Sequence, residues 1–300
     1  MSNIIAVIWD FDKTLVDGHM QDPIFQEYGV DARAFWHEVN AAPDEIARTR
    51  GVRVNADTYY LNHFIRCAHN GMFPGLNNAR LRAFGAQQKF YPGVPEILRR
   101  TKELLNDESY SEYGIQVEHY IVSTGFAETI RGSELMPLVD GVWGCELLDE
   151  PWEGGVINEI VYTIDNTTKT RAIFEINKGI GKLEGINVNS KIPNELRRVQ
   201  FENMIYIADG PSDIPAFSLI GQNGGSTFAI YPKGDMEAMK QVEQMRADGR
   251  VDMYAEADYR EGTTAFMWVT AKIEELADTV RNREKEKIIS SATPAPHHLI

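Results

Sequence analysis

The sequence predicts an α/β protein: a doubly wound, mostly parallel sheet with a block of helices inserted after its first strand. Three observations predict it. Short, β-branched apolar runs alternate with amphipathic helical patterns, which implies parallel strands covered on both faces. Between about residues 20 and 90 the patterns are helical only. Three apolar runs end in polar groups, at Asp10/Asp12, Ser123/Thr124 and Asp209/Asp213, and sites in such sheets form outside the carboxyl ends of the strands.

The elements follow in order. Residues 4–9, "IIAVIW", are too short and too β-rich for a helix and predict a buried strand. In "DARAFWHEVNAA" a helix carries Phe35, Trp36 and Val39 on one side. "NADTYYLNHFIRCAHNG" places Leu61, Phe64, Ile65 and Ala68 at helical spacing, with Asn55 as N-cap and Gly71 past the end. A third helix surrounds Leu81 and Phe84. The stretch "YPGVPEILRRTKELL" opens a helix near Pro92 to Pro95. "QVEHYIVSTG" is a strand, and "DGVWGCELL" and "EIVYTI" are strands of a β excursion. Thr167 or Thr168 caps a helix that runs to Lys178 and stops at Gly179. Residues 179–203 are polar and irregular. "NMIYIADGPSDIPAFSLI" is a strand, a turn and a helix, and "STFAIYP" a further strand. Residues 234–247 are helical, "DMYAEADY" is a short strand, and 263–282 form a last helix. The charged and then Pro/Ala/Ser-rich end, 284–300, predicts a disordered tail.

Composition narrows the function. The chain has 300 residues and a formal charge of −14, which argues against a nucleic-acid backbone or an anionic membrane surface as partner. A small anionic substrate is compatible with it, because a local cation overrides net charge. Two cysteines, Cys67 and Cys145, lack metal-ligand spacing and fit a reducing compartment. No signal peptide and no membrane span is expected, so the expected location is cytoplasmic. Oligomeric state is not legible.

The strand ends carry the chemistry. In an extended chain Asp10 and Asp12 point to the same side. Two such charges at about 4 Å and an effective dielectric near 20 repel by about 4 kcal/mol. Asp209 and Asp213 add two more acids at a second strand end. Turn acids and helix caps explain each pair taken alone, but four acids together call for a cation, and hard oxygen donors suit Mg²⁺. Ser123, Thr124 and Gly125 offer a hydroxyl and backbone N–H groups to a phosphoryl oxygen. Lys169 opens a helix, a poor place for a cation unless it has a task; Lys178 is the alternative.

The ordered set "DFDKTL", "VSTG", a helix-opening lysine and "ADGPSD" resembles the haloacid dehalogenase-like (HAD) hydrolase superfamily, over roughly residues 1–17 and 90–235, and looks most like its phosphoserine phosphatase-like branch. The resemblance implies a Rossmann-like core over 1–17 and 90–283 and a helical cap over 18–89. It implies a Mg²⁺-dependent phosphatase acting on a small phosphorylated metabolite through an aspartyl-phosphate. Asp10 would be the nucleophile and Asp12 the general acid and base. Asp10, Asp12 (through its carbonyl), Asp209 and Asp213 would hold the metal. Thr14, Ser123, Thr124, Gly125 and Lys169 would surround the phosphoryl group. Members that cleave carbon–halogen bonds lack the second acid, so Asp12 favours phosphoryl chemistry. Ala208 stands where many members have glycine. A phosphomutase on the same scaffold, a phosphate-accepting signalling domain and a non-catalytic binding protein are the alternatives. Arg48, Arg50, Arg53 and Arg66 are expected on solvated helix faces. Phe35, Trp36, Tyr59, Tyr60 and Phe64 are expected in the cap core, and His297/His298 are expected to hold no metal.

Overall fold

The structure, a computed structural model, describes residues 3–292. Seven strands form one sheet: β1 (Ile4–Trp9), β2 (Gln116–Phe126), β3 (Gly141–Asp149), β4 (Ile157–Tyr162), β5 (Met204–Ala208), β6 (Ser226–Tyr231) and β7 (Met253–Glu256). Their order is β4-β3-β2-β1-β5-β6-β7, parallel except for the antiparallel β3–β4 pair. All six residues of β1 are buried, as a strand covered on both faces requires. The order reverses at β1: the chain first builds outward through β2, then returns to place β5 on the other side. That makes the carboxyl end of β1 the topological switch point.

Four helices, α1 (Asp22–Tyr28), α2 (Ala32–Arg50), α3 (Ala56–His69) and α4 (Asn78–Gly85), follow β1 and form the inserted block. Asp31 and Asn55 cap α2 and α3 by accepting from N–H groups of their first turns. The block has an aromatic centre in which Phe64 stacks on Phe73 with centroids 5.1 Å apart. Phe35, Tyr60 and Phe64 are buried there, Trp36 and Tyr59 are half-buried, and the four arginines expected at the surface are exposed. The linkers into and out of the block run side by side: Asp17 N–H donates to the Lys89 carbonyl at 2.7 Å.

The block is not a separate ball of helices. Helix α4 docks on α7 (Ala127–Arg131) by backbone approach. A Cβ on Gly132 would stand 1.8 Å from the Arg82 carbonyl oxygen, and one on Gly85 would stand 2.2 Å from that of Thr129. Asn78 N–H also donates to the Asp149 carboxylate at 2.9 Å. One end of the inserted block is thus fixed to the core.

The remaining helices are α5 (Val94–Glu103) and the short α6 (Glu108–Ser111) before β2, α8 (Lys169–Lys178), α9 (Ile214–Gln222), α10 (Met236–Ala247) and α11 (Thr264–Ala292). The start of α8 differs from expectation. The Thr168 hydroxyl accepts from the Asp165 N–H at 2.7 Å instead of capping the helix, and the Asp165 carboxylate accepts from the N–H groups of Thr167 and Thr168. Helix α11 also runs past the expected end, through residues 284–292 of the expected tail. Within that stretch Lys287 pairs with Glu284, and just before it Arg281 pairs with Asp278 and Arg283 reaches Glu202. Such i,i+3 pairs favour helix over coil. Residues 293–300, with His297 and His298, lie outside the described residues. Cys67 and Cys145 are buried free thiols. No described helix is long and apolar enough to cross a membrane.

Candidate active site

Strand register assembles the site. Trp9 is level with Ile121 of β2 and with Ile207 of β5. Asp10 and Asp209 therefore emerge beside one another just past the ends of β1 and β5, and Ser123 lies in the neighbouring β2, which runs on to Phe126 instead of ending at Ser123–Gly125 as expected. The Asp10 N–H still donates to the Ile207 carbonyl at 2.9 Å, so its backbone is held as a continuation of the sheet. The chain then turns sharply. Leu15 and Val16 N–H groups both donate to the Phe11 carbonyl, and Lys13 adopts φ 54°, a left-handed conformation uncommon for a residue with a side chain. The turn folds Thr14 back so that its hydroxyl donates to Asp10 Oδ2 at 3.4 Å.

Lys169, at the first position of α8, is 1% exposed. Its Nζ donates to Asp10 Oδ1 at 2.7 Å and to Asp213 Oδ1 at 2.6 Å. Lys178 stands at the far end of the same helix and donates to the Val188 and Ser190 carbonyls, pinning the irregular stretch 179–203. The ammonium in the site is that of Lys169. Asp213 also accepts from the Tyr206 hydroxyl at 2.5 Å and from Ser212 Oγ at 2.9 Å. Carboxylate oxygens of Asp10, Asp209 and Asp213 lie within 4.8 Å of one another.

No protein-family model matches the chain. An uncharacterized protein of Borreliella burgdorferi is 36% identical over 291 residues, spanning 90% of this chain and 97% of that protein, and the two belong to one family. Among solved structures, a HAD-family hydrolase from Salmonella enterica serovar Typhi matches with a TM-score of 0.50 and 16% identity, over 84% of this chain and 67% of that one. The chain has the fold of the haloacid dehalogenase-like hydrolases. A substrate-bound phosphoserine phosphatase gives a TM-score of 0.47 at 19% identity, over 85% of this chain and 95% of that one.

Within this HAD fold, one ammonium faces several acids. Burial opposes the Lys169 charge, but Asp10 and Asp213 outweigh it and hold its pKa above the ordinary lysine value. Burial raises Asp10, and Lys169 offsets that rise only in part. Asp209 is raised by burial and by its neighbours Asp10 and Asp213. The Asp12 carboxyl is pushed up to about 8, first by burial and then by Asp10; the Met20 N–H, donating to Asp12 Oδ1 at 2.8 Å, opposes the shift.

The donor set fits a hard divalent cation. It consists of carboxylate oxygens, it carries more negative charge than Lys169 cancels, and Asp209 receives no hydrogen bond among the described residues. The Asp12 carboxylate is not one of the three clustered groups; it lines a cavity beside them.

The hydroxyl strand end is partly committed to itself. Ser123 is buried, and its Oγ accepts from the Gly125 N–H at 3.0 Å. Gly125 leaves room for Met20, whose Cε would stand 2.2 Å from a Cβ there. The Thr124 carbonyl accepts from the Tyr60 hydroxyl at 2.6 Å, which ties α3 to the site. Sequence reasoning missed Tyr206, Met20 and Tyr259. The Tyr259 hydroxyl donates to the Thr14 carbonyl at 2.8 Å and holds the turn from behind. The one signal for Tyr206 was a phenol inside the otherwise apolar "MIYIA".

Proposed function

We propose that the chain is a Mg²⁺-dependent phosphomonoester hydrolase that works through an aspartyl-phosphate on Asp10. The observation that carries this reading is the Lys169 ammonium bonded to Asp10 beside the Asp209 and Asp213 carboxylates, with the half-buried Asp12 carboxyl, raised above its ordinary pKa, two residues further on. The HAD fold supports a phosphoester hydrolase or a related phosphotransferase, which differ in whether water or a substrate hydroxyl takes the phosphoryl group.

In the first step an Asp10 carboxylate oxygen attacks phosphorus while the bond to the leaving oxygen breaks. Asp12 gives its proton to that oxygen, so the product leaves as an alcohol. In the second step Asp12, now a carboxylate, takes a proton from water as the water oxygen attacks phosphorus. Inorganic phosphate leaves and Asp10 is restored. Lys169 balances charge on Asp10 and on the phosphoryl oxygens through both steps. Asp213, fixed by Tyr206 and Ser212, positions Lys169. Ser123 and Thr124 face the phosphoryl oxygens, and Thr14 steadies Asp10. Asp10, Asp209 and Asp213, with the Asp12 carbonyl, would hold Mg²⁺, which supplies positive charge against the repulsion between carboxylate and phosphate. The helices over 18–89 act as the cap that keeps bulk water out.

The test is phosphate release from p-nitrophenyl phosphate and a panel of alkyl phosphates, with Mg²⁺ and with EDTA. Metal-dependent release supports the proposal. Phosphate moved between positions of a substrate without release would make the chain a mutase.

A further inference from the structure

We propose that Tyr60 and Cys145 are positioning residues for Ser123: together they turn the Thr124–Gly125 peptide so that the Ser123 hydroxyl accepts from Gly125 and offers its own proton to a phosphoryl oxygen. The inference rests on the phosphatase reading above and adds the two side chains that set this hydroxyl.

The backbone at residues 123–125 lacks the ladder that holds the rest of β2. Pairing with β1 ends at Ile121. On the other side Val122 is level with Trp143 and Phe126 with Cys145, so three residues of β2 stand opposite Gly144 alone. Bulges occur beside active sites, where they re-aim side chains. A bulge also frees backbone groups from the sheet, and something else must then fix their direction.

Two side chains do so at one atom. The Thr124 carbonyl accepts from the Tyr60 hydroxyl at 2.6 Å and from Cys145 Sγ at 3.2 Å. The Ile164 N–H donates to the same sulfur at 3.3 Å and holds it in place. Both residues are buried. Burial raises the Tyr60 phenol well above its ordinary pKa and pushes the Cys145 thiol up to about 12, so both keep their protons and act as donors at neutral pH.

The peptide plane carries this constraint to Ser123. The carbonyl of one residue and the N–H of the next share a rigid plane and point opposite ways. With the Thr124 oxygen fixed, the Gly125 N–H is fixed too, and it donates to Ser123 Oγ at 3.0 Å. A hydroxyl has one proton to give and two lone pairs. An Oγ that accepts from Gly125 turns its proton away from that N–H, and no acceptor takes this proton among the described residues. A peptide turned over would put the Thr124 carbonyl in place of the N–H, and that oxygen would draw the Ser123 proton away from the phosphoryl group. Tyr60 belongs to α3, whose Asn55 also donates to Asp165 at 3.2 Å, so the setting holds while the inserted helices are seated on the core.

The test is a double-mutant cycle with p-nitrophenyl phosphate and Mg²⁺ on the wild type, Tyr60→Phe, Ser123→Ala and the double variant. Tyr60→Phe should lower kcat/KM about three- to ten-fold when Ser123 is present, the worth of one hydrogen bond, and by less than about two-fold in the Ser123→Ala background. A misfolded fraction lowers both backgrounds alike and cancels in the comparison. Cys145→Ala should follow the same pattern, and Cys145→Ser, which keeps a donor, should stay nearer to the wild type. A Cys145→Ser variant no better than Cys145→Ala would overturn the thiol's part. If the wild type turns over and Tyr60→Phe has no effect, or equal effects in both backgrounds, the inference falls and the phosphatase reading stands. If the wild type releases no phosphate, the phosphatase reading falls, and the same cycle is read by calorimetric binding of inorganic phosphate. That measurement also decides where turnover by Ser123→Ala is too slow to follow. An affinity loss in Tyr60→Phe that vanishes in the Ser123→Ala background sustains the inference; equal losses, no loss, or no binding by the wild type overturn it.

Discussion

Lys169 Nζ donates to Asp10 Oδ1 at 2.7 Å, although 159 residues separate the two. Both side chains are buried, and Asp213 completes the group from the other side of the ammonium. Three charges out of bulk water hold one another in place. An isolated ion in that setting would be strongly unfavourable.

Lys169→Met leaves Asp10 and Asp213 buried without their partner. Breaking a buried pair in this way typically costs about 3–5 kcal/mol. We expect a loss of that order in urea unfolding with EDTA present, together with a collapse of kcat. An unchanged unfolding midpoint would show that the pair contributes no net stability.

Asp12→Asn tests the acid. A general acid contributes about 10²- to 10⁴-fold, and it matters most for leaving groups that need the proton. The loss in kcat/KM, which reports departure of the leaving group and not the later hydrolysis of the aspartyl-phosphate, should therefore be larger with ethyl phosphate than with p-nitrophenyl phosphate, whose phenolate leaves unaided. Equal losses in kcat/KM with the two esters would remove Asp12 from protonation of the leaving group.

His119 offers a stability probe away from the carboxylates. Its Nδ1 accepts from Trp9 Nε1 at 3.1 Å, and its Nε2 lies 3.1 Å from the Leu98 carbonyl. Burial, aided by Lys102, pulls its pKa down to about 3. The folded state thus binds no proton at His119 above about pH 3, whereas the unfolded chain binds one below about pH 6.5. Stability from this group is full above pH 6.5 and is lost progressively as pH falls toward 3. The drop in urea midpoint between pH 7 and pH 4 should be smaller in His119→Gln than in the wild type. An identical drop would place the acid sensitivity elsewhere.

Gly132→Ala tests the docking of α4. The new methyl would overlap the Arg82 carbonyl, which is backbone and cannot rotate aside. Overpacking typically costs about 1–3 kcal/mol, and a thermal melt should register at least that. A wild-type melting temperature would mean that α4 and α7 separate freely.

The fold was legible where burial imposes a pattern. The apolar runs of β1 and β5 end at Asp10 and Asp209, and the spacing of Leu61, Phe64 and Ala68 marks α3. The site was legible because its acids stand at strand ends, so that register alone brings Asp10 and Asp209 together. What escaped depends on particular side-chain partners that no local pattern specifies. Nothing local marks Tyr206 as a donor to Asp213, or Met20 as the occupant of the space beside Gly125. The cap of α8 escaped because Asp165 and Thr168 bond each other, an exchange that single-residue preferences do not contain. The extent of α11 escaped because a charged run was weighed by its polarity, whereas its acids and bases fall at pairing distance along a helix.

The most direct test of the central claim is to quench the protein in acid during turnover of p-nitrophenyl phosphate with Mg²⁺ and to locate the phosphoryl group by peptide mass spectrometry. An Asp10 nucleophile predicts a labile phosphoryl group on the peptide containing Asp10, and its loss along with turnover in a folded Asp10→Asn variant. Turnover that survives in Asp10→Asn, or a phosphoryl group on another residue, would contradict it.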